Sequence, residues 1–333
     1  EERGTVVDER GTVVDERATV VVEERATVVV DERTTVVEER TTVVVDARAT
    51  EVLEDRTTLV DERGVLDDDA TLDPGRDDDG PDDGKGLALV RFFDDPSTII
   101  GNSRRLVFGL AQADGTLREE GPDTVNGELI DPTGASLGAV VGTRRAKDLS
   151  RQYYQFRVDV PAEGIYTLRV TSGSETADSS FTVVAPGALA FPSPGDPMEP
   201  FDTPTMADPR GVDPVCTRDP VCSFHDRTLA ELLEERALIA YLVGTPAHCQ
   251  TGVCGPMLDV MLSVSDQYPT IAFLHAEVFA DNAATKVAPA VEALGLSFEP
   301  VLYLVGGDGV VVDRLDVIFD ATELAEQLDA LVV

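Results

Sequence analysis

Four cysteines in two close pairs are the residues of this chain best suited to chemistry. Five residues separate Cys216 from Cys222, and four separate Cys249 from Cys254. A pair this close can exchange with other disulfides, form a fixed disulfide, or bind a metal. Short-range disulfides are typical of proteins outside the reducing cytoplasm. We therefore expect an extracellular or cell-surface protein in which Cys216 and Cys222 form a structural disulfide.

The second pair has the features of a redox centre. Cys254 follows an apolar run and begins a helical pattern, and a helix N-terminus lowers the pKa of a thiol there. Gly252 allows the intervening loop to bend, so that Cys249 can return to within disulfide distance. His248, beside the first cysteine, could help to deprotonate a thiol.

An α/β pattern over residues 227–333 must position these cysteines. The amphipathic stretch Thr228–Arg236 predicts a helix, the apolar run Ala237–Val243 predicts a buried strand, and a helix over about residues 255–267 follows the cysteine loop. The remaining pattern predicts strands at Thr270–Ala276, Val301–Val305 and Val310–Leu315, and helices at Ala283–Leu294 and Ala321–Val332.

This segment resembles the thioredoxin family over roughly the last hundred residues. Cys254-Gly255-Pro256 directly follows a buried strand and opens a helix, and a hairpin and final helix close the chain. Pro300, in FEPVLYLV, stands where that family carries a cis-proline facing its active site. The resemblance implies a thioredoxin-like fold in which Cys254 attacks and Pro300 shapes the substrate groove.

The sequence departs from the family at Met257, where the second cysteine belongs, and the chain contains no tryptophan. A thioether cannot resolve a mixed disulfide, so activity needs Cys249 as the resolving thiol. Two hypotheses follow. In one the protein is a thiol–disulfide oxidoreductase whose partners are protein thiols and disulfides. In the other it is a non-catalytic surface protein, and the disulfides only fasten it.

The spacing Cys-x4-Cys is similar to that of one branch of the peroxiredoxins, which gives a second enzymatic hypothesis. Thr245 precedes Cys249 as in that family, but by four residues instead of three. Tyr241 occupies the approximate place of the family's upstream proline. Peroxiredoxin-like activity therefore ranks below disulfide exchange.

Metal binding is a further alternative. The candidate ligands for copper or zinc are Cys222, His225, His248, Cys249 and Cys254. No spacing among them is a recognised ligand pattern. We expect no metal and no other cofactor, and we expect His275 to be an ordinary histidine at the edge of the core.

Residues 86–186 predict an immunoglobulin-like or fibronectin-like β-sandwich. Six strand-like runs alternate with turn signals, at Leu87–Phe93, Arg105–Ala111, Thr124–Ile130, Tyr153–Val160, Ile165–Thr171 and Ser180–Val184. In PAEGIYTLRV, Tyr166 follows a glycine turn and is placed to pin a corner. The segment has no cysteine for an inter-sheet disulfide.

Two linkers and a repeat complete a multidomain organisation. Residues 67–85 are an acidic Asp/Gly/Pro linker, and the proline-rich residues 187–226 predict an extended connector. Residues 1–66 repeat units such as ERATVVVD every seven or eight residues. Adjacent valines and drifting period exclude a coiled coil and predict short Thr-Val-Val strands or a stalk, with possible self-association through open strand edges.

Charge limits the partners. The chain has 63 acidic and 27 basic residues, for a net charge of −36. Nucleic acid and anionic membrane surfaces both require clustered Lys and Arg, so neither is expected as a partner. No apolar run reaches the 18 or more residues that a membrane-spanning helix needs.

Overall fold

The structure is a computed structural model that describes residues 86–92, 98–249 and 252–333, together with the backbone of five short strands between Val6 and Val45. It divides into two compact units, Glu1–Asp79 and Gly80–Val333. The predicted acidic linker 67–85 and most of the predicted repeat lie outside the described residues.

The first unit contains five strands from the valine repeat: β1 Val6–Val7, β2 Val13–Val14, β3 Thr19–Val22, β4 Thr34–Glu38 and β5 Thr41–Val45. Strands β1 and β2 pair antiparallel, β3 and β4 pair parallel, and β4 and β5 pair antiparallel. Short Thr-Val-Val strands were one of the two predictions for this repeat, the other being a stalk, and these five segments are strands.

The next part of the chain forms one curled sheet of eight strands. They are β6 Ala88–Arg91, β7 Thr98–Ile99, β8 Gly101–Ala111, β9 Thr124–Ile130, β10 Ser136–Arg145, β11 Tyr153–Val160, β12 Gly164–Ser172 and β13 Glu175–Val184. Their order is β6-β8-β11-β10-β9-β12-β13-β7, and every pairing except β13 with β7 is antiparallel. A β-rich domain therefore stands where the sequence predicts one.

Alternating side chains fill the concave side of this sheet, as the two-residue period of a strand requires. Inward-facing members include Phe108, Leu129, Phe156, Leu168, Val170 and Phe181. Tyr166 is fully buried, and its hydroxyl donates to the carbonyl of Ala162 at 2.8 Å and accepts from the amide of Ala162 at 3.2 Å. This confirms the predicted role of Tyr166 in pinning the corner before β12.

We expect Tyr166→Phe to lower the free energy of unfolding by about 1 kcal/mol, because it leaves both backbone groups of Ala162 without their phenolic partner. Urea denaturation measures the change. The neighbouring substitution Ile165→Val, at a side chain that is 63% exposed, is the control and should have almost no effect. Equal stability of the two variants would contradict this role.

The C-terminal part is an α/β arrangement. Its elements are α1 Leu229–Glu234, β14 Leu238–Val243, α2 Cys254–Ser265, β15 Ile271–Ala276, α3 Pro289–Leu294, β16 Val301–Val305, β17 Val311–Asp316 and α4 Ala321–Leu331. The sheet order is β15-β14-β16-β17; β14 and β15 are parallel and the other pairs antiparallel. Within the described residues, none of the helices combines the length and the hydropathy that crossing a bilayer takes.

Residues 187–226 contain no helix and only two isolated β-bridges, yet they pack against the four-stranded sheet. Phe191, Met198 and Phe224 are buried, and the amide of Met198 donates to the carbonyl of Gly309 at 2.8 Å. The segment that proline content predicts as an extended connector therefore contributes to the hydrophobic core. It also carries Cys216 and Cys222 against this core.

The outer face of the curled sheet packs on the C-terminal helix through buried polar groups. Arg105, on β8, pairs with Glu323, on α4, through nitrogen–oxygen distances of 2.6 and 2.8 Å, and the two side chains are 5% and 0% exposed. Tyr153 also donates to Glu323. Burial alone would raise the pKa of Glu323, but attraction and hydrogen bonds from Arg105 and Tyr153 hold it below its usual value.

Candidate functional site: two cysteine pairs beside one strand end

A disulfide joins Cys249 to Cys254 in the loop between β14 and α2, with their Cα atoms 5.9 Å apart. The pairing of these two cysteines is as predicted. Cys254 is the first residue of α2 and is 1% exposed, whereas Cys249 is half-buried. A molecule arriving from solvent therefore meets the sulfur of Cys249 before that of Cys254.

The N-terminus of α2 is directed at Cys249. The helix begins without a side-chain cap at Val253, and the amide of Cys254 donates to Sγ of Cys249 at 3.2 Å. Backbone amides at a helix start carry partial positive charge and stabilise a thiolate. The sulfur that gains most from the helix is therefore Cys249, although the sequence-based assignment gave this advantage to Cys254.

Met257 has a packing role. Its side chain is fully buried, and its thioether sulfur accepts a hydrogen bond from the amide of Phe319 at 3.0 Å. This position lies one turn inside the helix and belongs to the hydrophobic core. Met257 therefore lies in the core and supplies no second thiol, so the pairing partner of Cys254 comes from the preceding loop.

Glu299 is a site residue that the sequence analysis did not single out. Its Oε2 lies 3.3 Å from Sγ of Cys254 and accepts from the amide of Thr245 at 2.6 Å. Burial, and then repulsion from Glu277, raise the pKa of Glu299 to about 7, against the lowering effect of the Thr245 amide. A carboxyl group with this pKa gains and loses a proton near neutral pH beside a cysteine sulfur.

Pro300, which the resemblance assigns to the substrate groove, follows a cis peptide bond after Glu299 and is buried. A Cβ placed on Gly244 would lie 3.0 Å from Cβ of Pro300 and 3.6 Å from Cβ of Cys254. Gly244 thus lets the proline and the cysteine approach the same point at the end of β14. His248 packs its ring edge-on against Phe279, with the ring centroids 6.0 Å apart.

A cleft of about 80 Å³ lies at the start of α2. Gly252, Val253 and Pro256 line one side of it. The loop between β10 and β11, at residues 149–151, lines the other side. A loop of the curled sheet therefore lines the same cleft as the start of α2.

Cys216 and Cys222 are separate buried thiols whose sulfurs lie 3.8 Å apart, where the sequence predicts a disulfide. The imidazoles of His225 and His275 lie against these sulfurs, and both sulfurs are directed toward the ring nitrogens. The pKa of Cys216 is lowered by its hydrogen bond with Cys222 and then by His225 and His275, while the same sulfur–sulfur hydrogen bond raises the pKa of Cys222.

The ligand atoms of Cys216, Cys222, His225 and His275 all lie within 4.8 Å of one another. We refer to these four residues as the Cys2His2 cluster. Two of them, Cys222 and His225, were among the metal-ligand candidates of the sequence analysis. The other candidates, His248, Cys249 and Cys254, do not belong to the cluster, and Cys216 and His275 replace them.

A hydrogen-bonded path links the cluster to the disulfide. His275 Nε2 lies 2.8 Å from the carbonyl oxygen of Gly244, the residue on which a Cβ would lie close to Pro300 and Cys254. The hydroxyl of Thr245 donates to Glu277 at 2.5 Å, and the amide of Thr217 donates to the other oxygen of Glu277 at 2.6 Å. The two cysteine pairs therefore share one rigid strand end.

Comparison with family profiles and with curated protein sequences gives no match. A solved structure described as "Biofilm associated protein - BSP domain" aligns with 33% of this chain at 16% identity and a TM-score of 0.21. The aligned part is 17% of that protein's chain. A TM-score this low does not establish a shared fold.

Proposed function

We propose that this protein is an extracytoplasmic thiol–disulfide oxidoreductase, with a thioredoxin-like domain at residues 227–333 and an immunoglobulin-like domain at residues 86–186. The observation that carries the proposal is the polar environment of the disulfide. A helix amide donates to Cys249, and a carboxyl group with a pKa of about 7 lies 3.3 Å from the sulfur of Cys254. A disulfide that only fastens a fold needs neither group.

Exposure and hydrogen bonding favour Cys249 as the sulfur that exchanges with partners and Cys254 as its buried partner. This reverses the roles that the resemblance implies, in which Cys254 attacks. Cys254 is 1% exposed, so an in-line approach to its sulfur is closed, whereas Cys249 is half-buried and holds the amide hydrogen bond. Access and thiolate stabilisation both control the rate of exchange.

Each half-reaction then has a defined path for electrons and protons. A thiolate of a partner dithiol attacks Sγ of Cys249, the bond to Cys254 breaks, and its electron pair passes to Sγ of Cys254. Neutral Glu299 gives its proton to that sulfur. The partner's second thiolate attacks its own sulfur in the mixed disulfide, which forms the partner's disulfide and releases Cys249 as a thiolate. Cys249 takes a proton from water, so the partner loses the two electrons that the pair gains.

The partner's chain has a place to bind. The cleft lined by Gly252 and Pro256 lies at the start of α2, where Cys254 is the first helical residue, and a Cβ on Gly244 would lie within 3.6 Å of both Pro300 and Cys254. Residues 149–151 form the opposite wall and include the exposed cation Arg151. In this proposal the loop between β10 and β11 selects which protein thiols reach the disulfide.

The roles of the two sulfurs can be separated by single substitutions. We expect Cys254→Ser to keep a reactive Cys249 that attacks a partner's disulfide and remains bound to it as a mixed disulfide, and Cys249→Ser to leave a buried, slowly alkylated Cys254. Both variants should lose reduction of a model disulfide. Mass mapping after brief alkylation of the folded proteins measures the trapping. Faster labelling at Cys254 would overturn the assignment of roles.

The alternative is a non-catalytic surface protein, and the burial of Cys254 is the observation that favours it. In that case the disulfide should resist dithiothreitol until the protein unfolds, while the oxidoreductase should be reduced in its folded state. The valine strands of the repeat would then serve self-association through open edges, which sedimentation measures. A disulfide outside the cytoplasm fits either function.

A further inference from the structure

We propose that the Cys2His2 cluster is a structural zinc site, which binds one Zn²⁺ between the segment 216–225 and strand β15. The proposal is independent of disulfide exchange at Cys249 and Cys254. It replaces both the disulfide between Cys216 and Cys222 and the expectation of no metal, which the sequence alone favours.

The distances between the four ligand atoms fit a tetrahedral zinc ion. With Zn–S bonds of about 2.3 Å and Zn–N bonds of about 2.05 Å, a regular tetrahedron has edges of about 3.8 Å between sulfurs, about 3.3 Å between nitrogens and about 3.5 Å between the two kinds. The sulfurs of Cys216 and Cys222 are 3.8 Å apart. Nε2 of His225 and Nδ1 of His275 are 3.2 Å apart.

Three of the four mixed edges can be compared in the same way. The sulfur of Cys222 lies 3.1 Å from Nε2 of His225 and 3.6 Å from Nδ1 of His275. Cys216 Sγ lies 3.8 Å from the same nitrogen of His275. These edges scatter about the value expected for sulfur and nitrogen around one ion. A disulfide would instead bring the two sulfurs to about 2.05 Å and leave both imidazoles without a common ligand.

The orientation of His275 is fixed by a second interaction. Its Nε2 lies 2.8 Å from the carbonyl oxygen of Gly244, which can only accept, so this nitrogen carries the proton and Nδ1 presents its lone pair to the cluster. A backbone carbonyl that holds the far nitrogen of a histidine is the usual outer partner of a zinc ligand.

Burial and charge favour zinc over an empty cluster. All four side chains are at most 6% exposed, so no position is open to water and the site has no vacant coordination position for substrate. Two thiolates and two neutral imidazoles bring a net charge of −2, which one Zn²⁺ cancels.

The site would fasten the proline-rich segment to the sheet. Three ligands lie in residues 216–225, which contain no helix or strand, and the fourth lies in β15. Zinc bound there would also hold the carbonyl of Gly244 through His275, and a Cβ on Gly244 would lie within 3.6 Å of both Pro300 and Cys254. Zinc would therefore have a structural role: it would fix the proline-rich segment to β15 and, through His275, the end of β14 beside the disulfide site.

Zinc content of the full chain, purified in a phosphine reductant without chelator, tests the proposal. We expect about one zinc per chain, and a loss of at least tenfold in Cys216→Ala/Cys222→Ala. His248→Ala replaces the third histidine, which is outside the cluster, and should keep the zinc. Cys249→Ser/Cys254→Ser should also keep it, which separates this site from the proposed redox function.

Two further measurements use the unaltered chain, so they test the proposal even if the cysteine variant fails to fold. Cobalt added to the unaltered metal-free chain should give the visible bands of a tetrahedral site with thiolate ligands, and zinc should displace them. Removal of zinc by a chelator should lower the Tm by about 5–10 °C, and its return should restore it. A chain that binds no zinc under reducing conditions, or that keeps a Cys216–Cys222 disulfide in them, overturns the proposal.

Discussion

Glu323→Gln should lower the free energy of unfolding by about 3–5 kcal/mol, because it leaves the guanidinium of Arg105 buried without its countercharge. Glu323 is fully buried and accepts from Arg105 and Tyr153. Since its pKa lies below the usual value in the folded state, the stabilisation is complete above the pKa of the unfolded chain. It is then lost as the pH falls through the folded pKa.

The matched control is Glu326→Gln, one turn further along the same helix. Glu326 also pairs with a buried arginine, Arg145, but Glu326 is 50% exposed and Arg145 keeps its hydrogen bond to Gln155, so this replacement should cost clearly less than that of Glu323. Urea denaturation of both variants at pH 7 and pH 4 makes the comparison. If the two substitutions cost the same, the buried pair does not fasten the curled sheet to α4.

The second large effect is expected from Glu299→Gln in the exchange reaction. In its neutral form Glu299 supplies the proton that Cys254 takes when the disulfide breaks, and general acid catalysis of this kind contributes roughly 10²-fold or more. Normalised to the thiolate concentration of the reductant, the rate of reduction of the folded protein should be constant below pH 7 and fall above it, because the pKa of Glu299 is about 7.

In Glu299→Gln we expect a rate about 10²-fold lower and no break near pH 7. Glu292→Gln, at an exposed position on α3, is the control and should keep both the rate and the break. Stopped-flow measurement of thiol release over pH 5–9 gives both profiles. If the break near pH 7 persists in Glu299→Gln, it belongs to another group, and Glu299 is not the proton donor to Cys254.

Local pattern was enough to predict the buried strands. Thr124–Ile130, Tyr153–Val160 and Val301–Val305 have the predicted bounds, since each is an apolar or alternating run with turn residues at both ends. Strand β10, Ser136–Arg145, was missed because it is mostly exposed and contains two glycines. Its strand conformation comes from pairing with β9 and β11, the strands before and after it in the chain.

Helix α3 shows the opposite error. The sequence predicts a helix over Ala283–Leu294, but it begins at Pro289. Asp281 accepts from the amides of Ala283 and Thr285 and forms a turn that competes with the helix. Proline is favourable at the first helical position, so the helix starts there.

The candidate site was predictable only where it is local. The pairing of Cys249 with Cys254 follows from a short loop with a glycine. Glu299 directly precedes Pro300, which the resemblance places at the active site, but its closeness to Cys254 comes from the order of strands in the sheet, as does the place of His275 in the cluster. The cluster joins Cys216 to His275, which are 59 residues apart in the sequence, and no rule of cysteine and histidine spacing predicts such a pair.

Strand β11 is buried on both faces between Tyr153 and Phe156, because Tyr154 faces the interior of the curled sheet while Tyr153 packs with the C-terminal core. A fragment that ends or begins between residues 186 and 227 would expose one of these faces together with the carboxylate of Glu323. Residues 86–333 should therefore melt in a single cooperative transition, and dissection into separate domains should yield insoluble halves.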